Sequence, residues 1–97
     1  DLAVDAVPRN VDPAAVRKYL GDLTGVAEIH DLHIWPLSTT DTALTAHLVM
    51  NVYPAGDEFL GDVAHALEER FHISHATIQL ERAGSGVFCH QAKHCAD

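Results

Sequence analysis

His30, His33 and His47 interrupt two runs rich in Ile, Leu, Val and Trp that otherwise read as β-strands. A solvent-facing strand surface is ordinarily filled with Thr, Lys and Glu. Imidazoles held at fixed separations on paired strands offer something else, because neutral imidazole is the commonest protein ligand for a transition metal. Glu81 stands near the end of a third alternating run. Together His30, His47 and Glu81 supply two imidazoles and a carboxylate, a set that suits Zn²⁺ with a fourth position left for water or a ligand from a second chain. Alternation places only His47 and Glu81 off the core. His30 shares parity with Leu32 and Ile34, so a regular strand would turn it inward unless a bulge intervenes, and on pattern alone His33 competes for its place. Plain surface imidazoles are the competing reading, since no motif fixes these distances.

A second group closes the chain: Cys89-His90 and His94-Cys95. His90 and His94 are one helical turn apart, and thiolates beside imidazoles favour zinc or softer ions such as Cd²⁺ over Mg²⁺ or Ca²⁺. The spacing matches no standard zinc motif, and a tail with spare thiols, able to close a small disulfide, is the alternative. His75 opens the third run, about 20 Å from Glu81 along an extended segment, too far to share its ion. It reads as a ligand for the tail or a surface histidine; His65 and His72 read as surface residues. Asp31 reads as a solvated carboxylate or as an outer partner for a ligating imidazole. Trp35 and Phe71 read as core. An enzyme is disfavoured: there is no Gly-rich phosphate loop, no nucleophile beside a base and no long loop to form a lid.

The elements that must position these groups are legible. Asp12-Pro13 marks a helix start, with Asp12 as N-cap, Pro13 in the first turn and Val11 and Val16 placed for a hydrophobic staple. Val16, Leu20 and Leu23, backed by Tyr19, carry the helix over 13–24, with Gly25 as its stop. Residues 26–51 form a hairpin across the turn Ser38-Thr39-Thr40-Asp41, and this hairpin is expected to be the middle of the sheet. Leu44, Ala46, Leu48 and Met50 face the core, while Thr45, His47, Val49 and Asn51 face away. Pro36 belongs at a strand end or bulge. Asp57 caps a second helix whose core stripe is Leu60, Val63, Ala64, Leu67 and Phe71. Ala76, Ile78 and Leu80 alternate with Thr77, Gln79 and Glu81 in the last strand. The order is helix, strand, strand, helix, strand, an α+β arrangement of two helices on one face of a three-stranded sheet.

Ninety-seven residues with 47% hydrophobic and 21% charged content suffice for one core. The expected division is a domain over 1–82 and, past the joint Gly84-Ser85-Gly86, a flexible Cys/His-containing metal-binding tail over 83–97. A net charge of −8 argues against nucleic acid and anionic lipid and suits a cation binder. Eight histidines are well above ordinary usage and are the main compositional clue. No apolar run approaches the ~20 residues that span a bilayer, and no signal peptide is visible. The chain opens at Asp1 without an initiator Met, as a piece of something longer would. Two cysteines do not make a disulfide framework, so reduced thiols in a cytosolic compartment are expected.

Gly25-Val26, His30-Asp31-Leu32-His33-Ile34-Trp35, Ala46-His47, Arg70-Phe71 and His75-Ala76-Thr77-Ile78-Gln79-Leu80-Glu81 occur together and in order. In this the chain resembles, from about Val7 through Glu81, the C-terminal cytosolic domain of cation diffusion facilitator transporters, closest to the zinc efflux branch. The resemblance implies a ferredoxin-like, metallochaperone-type α-β-β-α-β two-layer sandwich. It implies a V-shaped homodimer on the cytoplasmic side of the inner or plasma membrane, attached to an upstream six-helix transmembrane domain. It implies that His30, His47 and Glu81 carry metal, Zn²⁺ and also Cd²⁺ or Co²⁺, and that the strand is irregular at His30. Zinc-transporting relatives often end in Cys-x-x-Cys, from which this tail departs with five residues between Cys89 and Cys95. The function implied is a regulatory sensor that dimerises, binds metal and biases its membrane domain toward transport. A free-standing metal chaperone and a plain dimerisation module are the alternatives.

Overall fold

The computed structural model describes residues 11–84. Its elements are helix α1 (Pro13–Gly21), strands β1 (Val26–Pro36) and β2 (Thr42–Met50), helix α2 (Glu58–Phe71) and strand β3 (His75–Arg82). The Asp12 carboxylate accepts from the backbone N–H groups of Ala14 and Ala15 at 3.0 and 3.4 Å, and Pro13 occupies the position where a missing N–H costs nothing. Val11 and Val16 flank that cap, both buried in the core cluster. The helix stops at Gly21, earlier than its periodicity suggests, and Asp22 is its C-cap, held by Lys18 at 2.7 Å. Gly25 is therefore not the helix stop. Its φ of +92° serves a close approach: Asn51 N–H donates to the Gly25 carbonyl at 2.7 Å, and a Cβ on Gly25 would lie 3.0 Å from the Val52 carbonyl oxygen.

The sheet order is β1-β2-β3, so β2 alone is central and the hairpin's other strand, β1, is an edge. β1 and β2 pair antiparallel, whereas β2 and β3 pair parallel and require a crossover, which α2 supplies. Leu44, Ala46, Leu48 and Met50 are all buried, as alternation requires, against Val16 and Leu20 of α1 and Val63 and Leu67 of α2. On α2 the apolar stripe starts at Phe59, which packs against the core, and Ala64 is exposed. Asp57 is the N-cap residue of α2 but makes no side-chain cap bond. The Arg70 guanidinium lies over the rings of Tyr19 and Phe71 at 4.9 and 5.3 Å, bracing the two helices against each other. Among the described residues no helix is long and apolar enough to cross a membrane.

Trp35 departs from its expected place in the core. Ile34 pairs with Leu44 on the buried side, so Trp35, paired with Ala43, falls on the face away from the helices, where it is half-buried.

Candidate metal centre

The face that the helices leave open is ordered into rows by the strand register. Glu28, Val49 and Glu81 form one row; His30, His47 and Gln79 the next; His33, Thr45 and Thr77 the third; Trp35, Ala43 and His75 the last. Two irregularities in β1 make this possible. Between Val26 and Glu28 the strand advances two residues against one on β2, and between His30 and His33 it advances three against two. Each is a bulge of one extra residue, and each flips the side-chain phase. The second is turned by Asp31, whose φ of +51° lies in the left-handed region that Asp tolerates better than most side chains. The competition between His30 and His33 thus resolves physically: both reach the open face, His30 opposite His47 and His33 opposite Thr45.

His47 is the hub. Its Nδ1 lies 3.3 Å from Glu81 Oε2 on β3 and 3.9 Å from Asp31 Oδ2 on β1, and all three side chains are largely shielded. The 3.3 Å separation exceeds that of a tight ionic hydrogen bond, about 2.7–2.9 Å. It equals the edge of a zinc tetrahedron, about 3.3 Å for ligand bonds of about 2.0–2.1 Å. His30 Nε2 lies 2.9 Å from Glu28 Oε1, whereas its Nδ1 is buried with no hydrogen-bond partner. Leaving such a nitrogen unsatisfied costs about 1–3 kcal/mol. Among the described residues no three side chains of His, Cys, Asp or Glu are already arranged to hold an ion. The face instead carries two imidazole–carboxylate pairs in adjoining rows, and its donor set of imidazole nitrogens and carboxylate oxygens fits zinc chemistry.

Asp31, ambiguous from sequence, is both the bulge residue and a neighbour of His47. Glu28 was not singled out by sequence reasoning; its i, i+2 spacing to His30 was the available signal. His33 is exposed. His75 lies at the far end of the face with Nε2 4.0 Å from Asp41 Oδ1, in the row farthest from Glu81. His65 is exposed on α2, and exposed His72 has a structural duty, ending α2 with a left-handed φ of +61°. Cys89, His90, His94 and Cys95 lie outside the described residues.

The family profile described as the cytoplasmic domain of cation efflux proteins matches residues 8–83. The cation efflux system protein CzcD of Cupriavidus metallidurans is 37% identical over 84 residues, 86% of this chain and 27% of that protein. A protein of Dictyostelium discoideum named as a probable zinc transporter is 35% identical over 81 residues, 84% of this chain and 15% of its own length. The chain therefore spans about a quarter or less of these relatives. The metal-bound C-terminal domain of the CzcD transporter superposes with a TM-score of 0.64 at 38% identity, covering 73% of this chain and 99% of that domain. The fold is accordingly ferredoxin-like.

Proposed function

We propose that this chain, which belongs to the family of cation efflux protein cytoplasmic domains, is a metal-sensing regulatory domain of a divalent-cation efflux transporter. His30, His47 and Glu81 hold the ion, Zn²⁺ first and Cd²⁺ or Co²⁺ by the same donors. The observation that carries this reading is the convergence of His47 and Glu81 from neighbouring strands at 3.3 Å on the face away from α1 and α2. The metal-bound state of the similar CzcD domain supports it.

A bound divalent ion supplies positive charge that offsets Glu81 and Asp31 and ties their strands together. The residues do the rest. His47 presents its ring between the two carboxylates, Asp31 sets the strand phase that brings His30 opposite it, and the sheet fixes the spacing. The open face is also the surface proposed for homodimerisation, where a second copy completes the coordination. Such an arrangement couples metal to shape, because a ligand shifts an equilibrium only by the difference in its affinity for the two states. Ligands contributed across a closing dimer provide that difference, and the closure biases an attached membrane domain toward transport. The division at residues 82/83 belongs to the same proposal, with Cys89, His90, His94 and Cys95 taking a further ion.

Equilibrium dialysis tests the site: His47→Ala with Glu81→Ala should lose zinc stoichiometry, and unchanged stoichiometry would sink the reading. Binding should weaken in acid, because an imidazole ligates only when neutral. X-ray scattering tests the sensor, which should compact on zinc addition; a plain dimerisation module should not.

A further inference from the structure

We infer that Glu28 is a positioning residue that holds His30 in its Nε2–H form and so makes Nδ1 the metal-ligating nitrogen. This rests on the metal reading above and adds to it a residue and an atom. Three observations carry it. Glu28 Oε1 is 2.9 Å from His30 Nε2, within the range of a charge-assisted hydrogen bond and shorter than either carboxylate contact of His47. A carboxylate can only accept, so the proton of a neutral imidazole resides on Nε2 and the lone pair on Nδ1. That same Nδ1 is the buried side-chain polar atom left without a hydrogen bond among the described residues. One nitrogen is saturated from outside and the other is shielded and bare, which is how outer carboxylates prepare a histidine for a metal.

The backbone explains why Glu28 can reach. Without the bulge between Val26 and Glu28, the strand phase that puts Ile29 opposite Leu48 in the core would be lost. With it, Glu28 and His30 occupy successive positions on the open face. Glu28 also shares a row with Glu81, so two carboxylates, one on each edge strand, stand in the row beside the imidazoles. Glu28 remains 64% exposed, so it can be replaced without disturbing the core.

The test uses ¹⁵N NMR of the imidazole rings together with zinc titration of the whole chain. In the metal-free protein, His30 should show Nε2 protonated, with that proton slowed in its exchange with water, and Nδ1 bare. Zinc should shift the Nδ1 resonance. Glu28→Ala should abolish the slowed Nε2 proton and weaken zinc 10- to 100-fold, at an unchanged metal-free melting midpoint. Glu28→Gln, whose amide oxygen still accepts, should recover part of both. A protonated Nδ1 in the metal-free protein, a zinc shift on Nε2, or wild-type affinity in Glu28→Ala each overturns the inference. If His30→Ala binds zinc as tightly as wild type, the metal reading of His30 fails instead. The metal-free spectra then still decide Glu28: a slowed Nε2 proton that persists in Glu28→Ala overturns it.

Discussion

Adjacent residues of β2 should respond to substitution in opposite ways, because His47 and Leu48 lie on opposite faces of one strand. Leu48 is fully buried between the sheet and the helices, and Leu48→Ala removes three heavy atoms' worth of packing there, costing about 3–5 kcal/mol. For a domain of this size that lowers the melting midpoint by roughly 15–30 °C. His47 is on the open face in contact with two carboxylates. Removing it from the metal-free protein costs about 1 kcal/mol or less, as expected for a partly hydrated polar contact. Zinc inverts the contrast. At a free concentration of about 100 times Kd, a ligand specific for the native state adds about 2.7 kcal/mol, or roughly 10–20 °C. Leu48→Ala should start low and still gain that increment; His47→Ala should start near wild type and gain little. Calorimetry of the three proteins with and without zinc reads both effects. An undiminished zinc increment in His47→Ala refutes the assignment of the open face as the metal surface.

Other perturbations follow from backbone and packing. Gly25→Ala should destabilise by about 2 kcal/mol or more, since the position needs a positive φ and a Cβ there meets the Val52 carbonyl at 3.0 Å; urea unfolding measures it. His72→Gly should stabilise by about 0.5 kcal/mol, because relief of the left-handed strain at the end of α2 outweighs the added freedom of the unfolded chain. Burial raises the Tyr19 phenol pKa above 10.0, Arg70 opposes the shift and Asp62 reinforces it. A raised folded-state value means the neutral phenol is favoured on folding, so its contribution is complete below about pH 10 and is lost as pH rises through the folded-state titration. Wild-type stability should therefore fall more steeply between about pH 9 and pH 11 than that of Tyr19→Phe, and parallel slopes would contradict it.

The central strand and both helices were legible because each buries one regular stripe: every second residue of β2 from Leu44 to Met50, and Val16 with Leu20 on α1. His47 and Glu81 came with them, since alternation alone assigns their faces. β1 was opaque for the opposite reason. Its two extra residues each reset the phase, so no single period describes it, and Glu28, which lies between them, could not be placed by counting from either end. Trp35 lies beyond both, where alternation with Ile34 points it to the open face and only its size suggested the core. Composition does not mark such bulges: Asp31 reads as an ordinary polar residue until its φ is known. Likewise Gly25 could mark a helix stop or a close backbone approach, and only the contact with Val52 separates the two. What the resemblance implied at His30, an irregular strand, is what the register shows.

Trp35 is the chain's single tryptophan, and its alternation with buried Ile34 leaves its indole on the same surface as the imidazoles rather than in the hydrophobic layer. The protein therefore carries its own optical probe. Emission from that ring responds to whatever comes to lie over the open side of the sheet, while rearrangements confined to the helical side leave it largely silent. Quenching or a spectral shift upon cation addition can thus be followed in real time, with no dye attached and no residue changed.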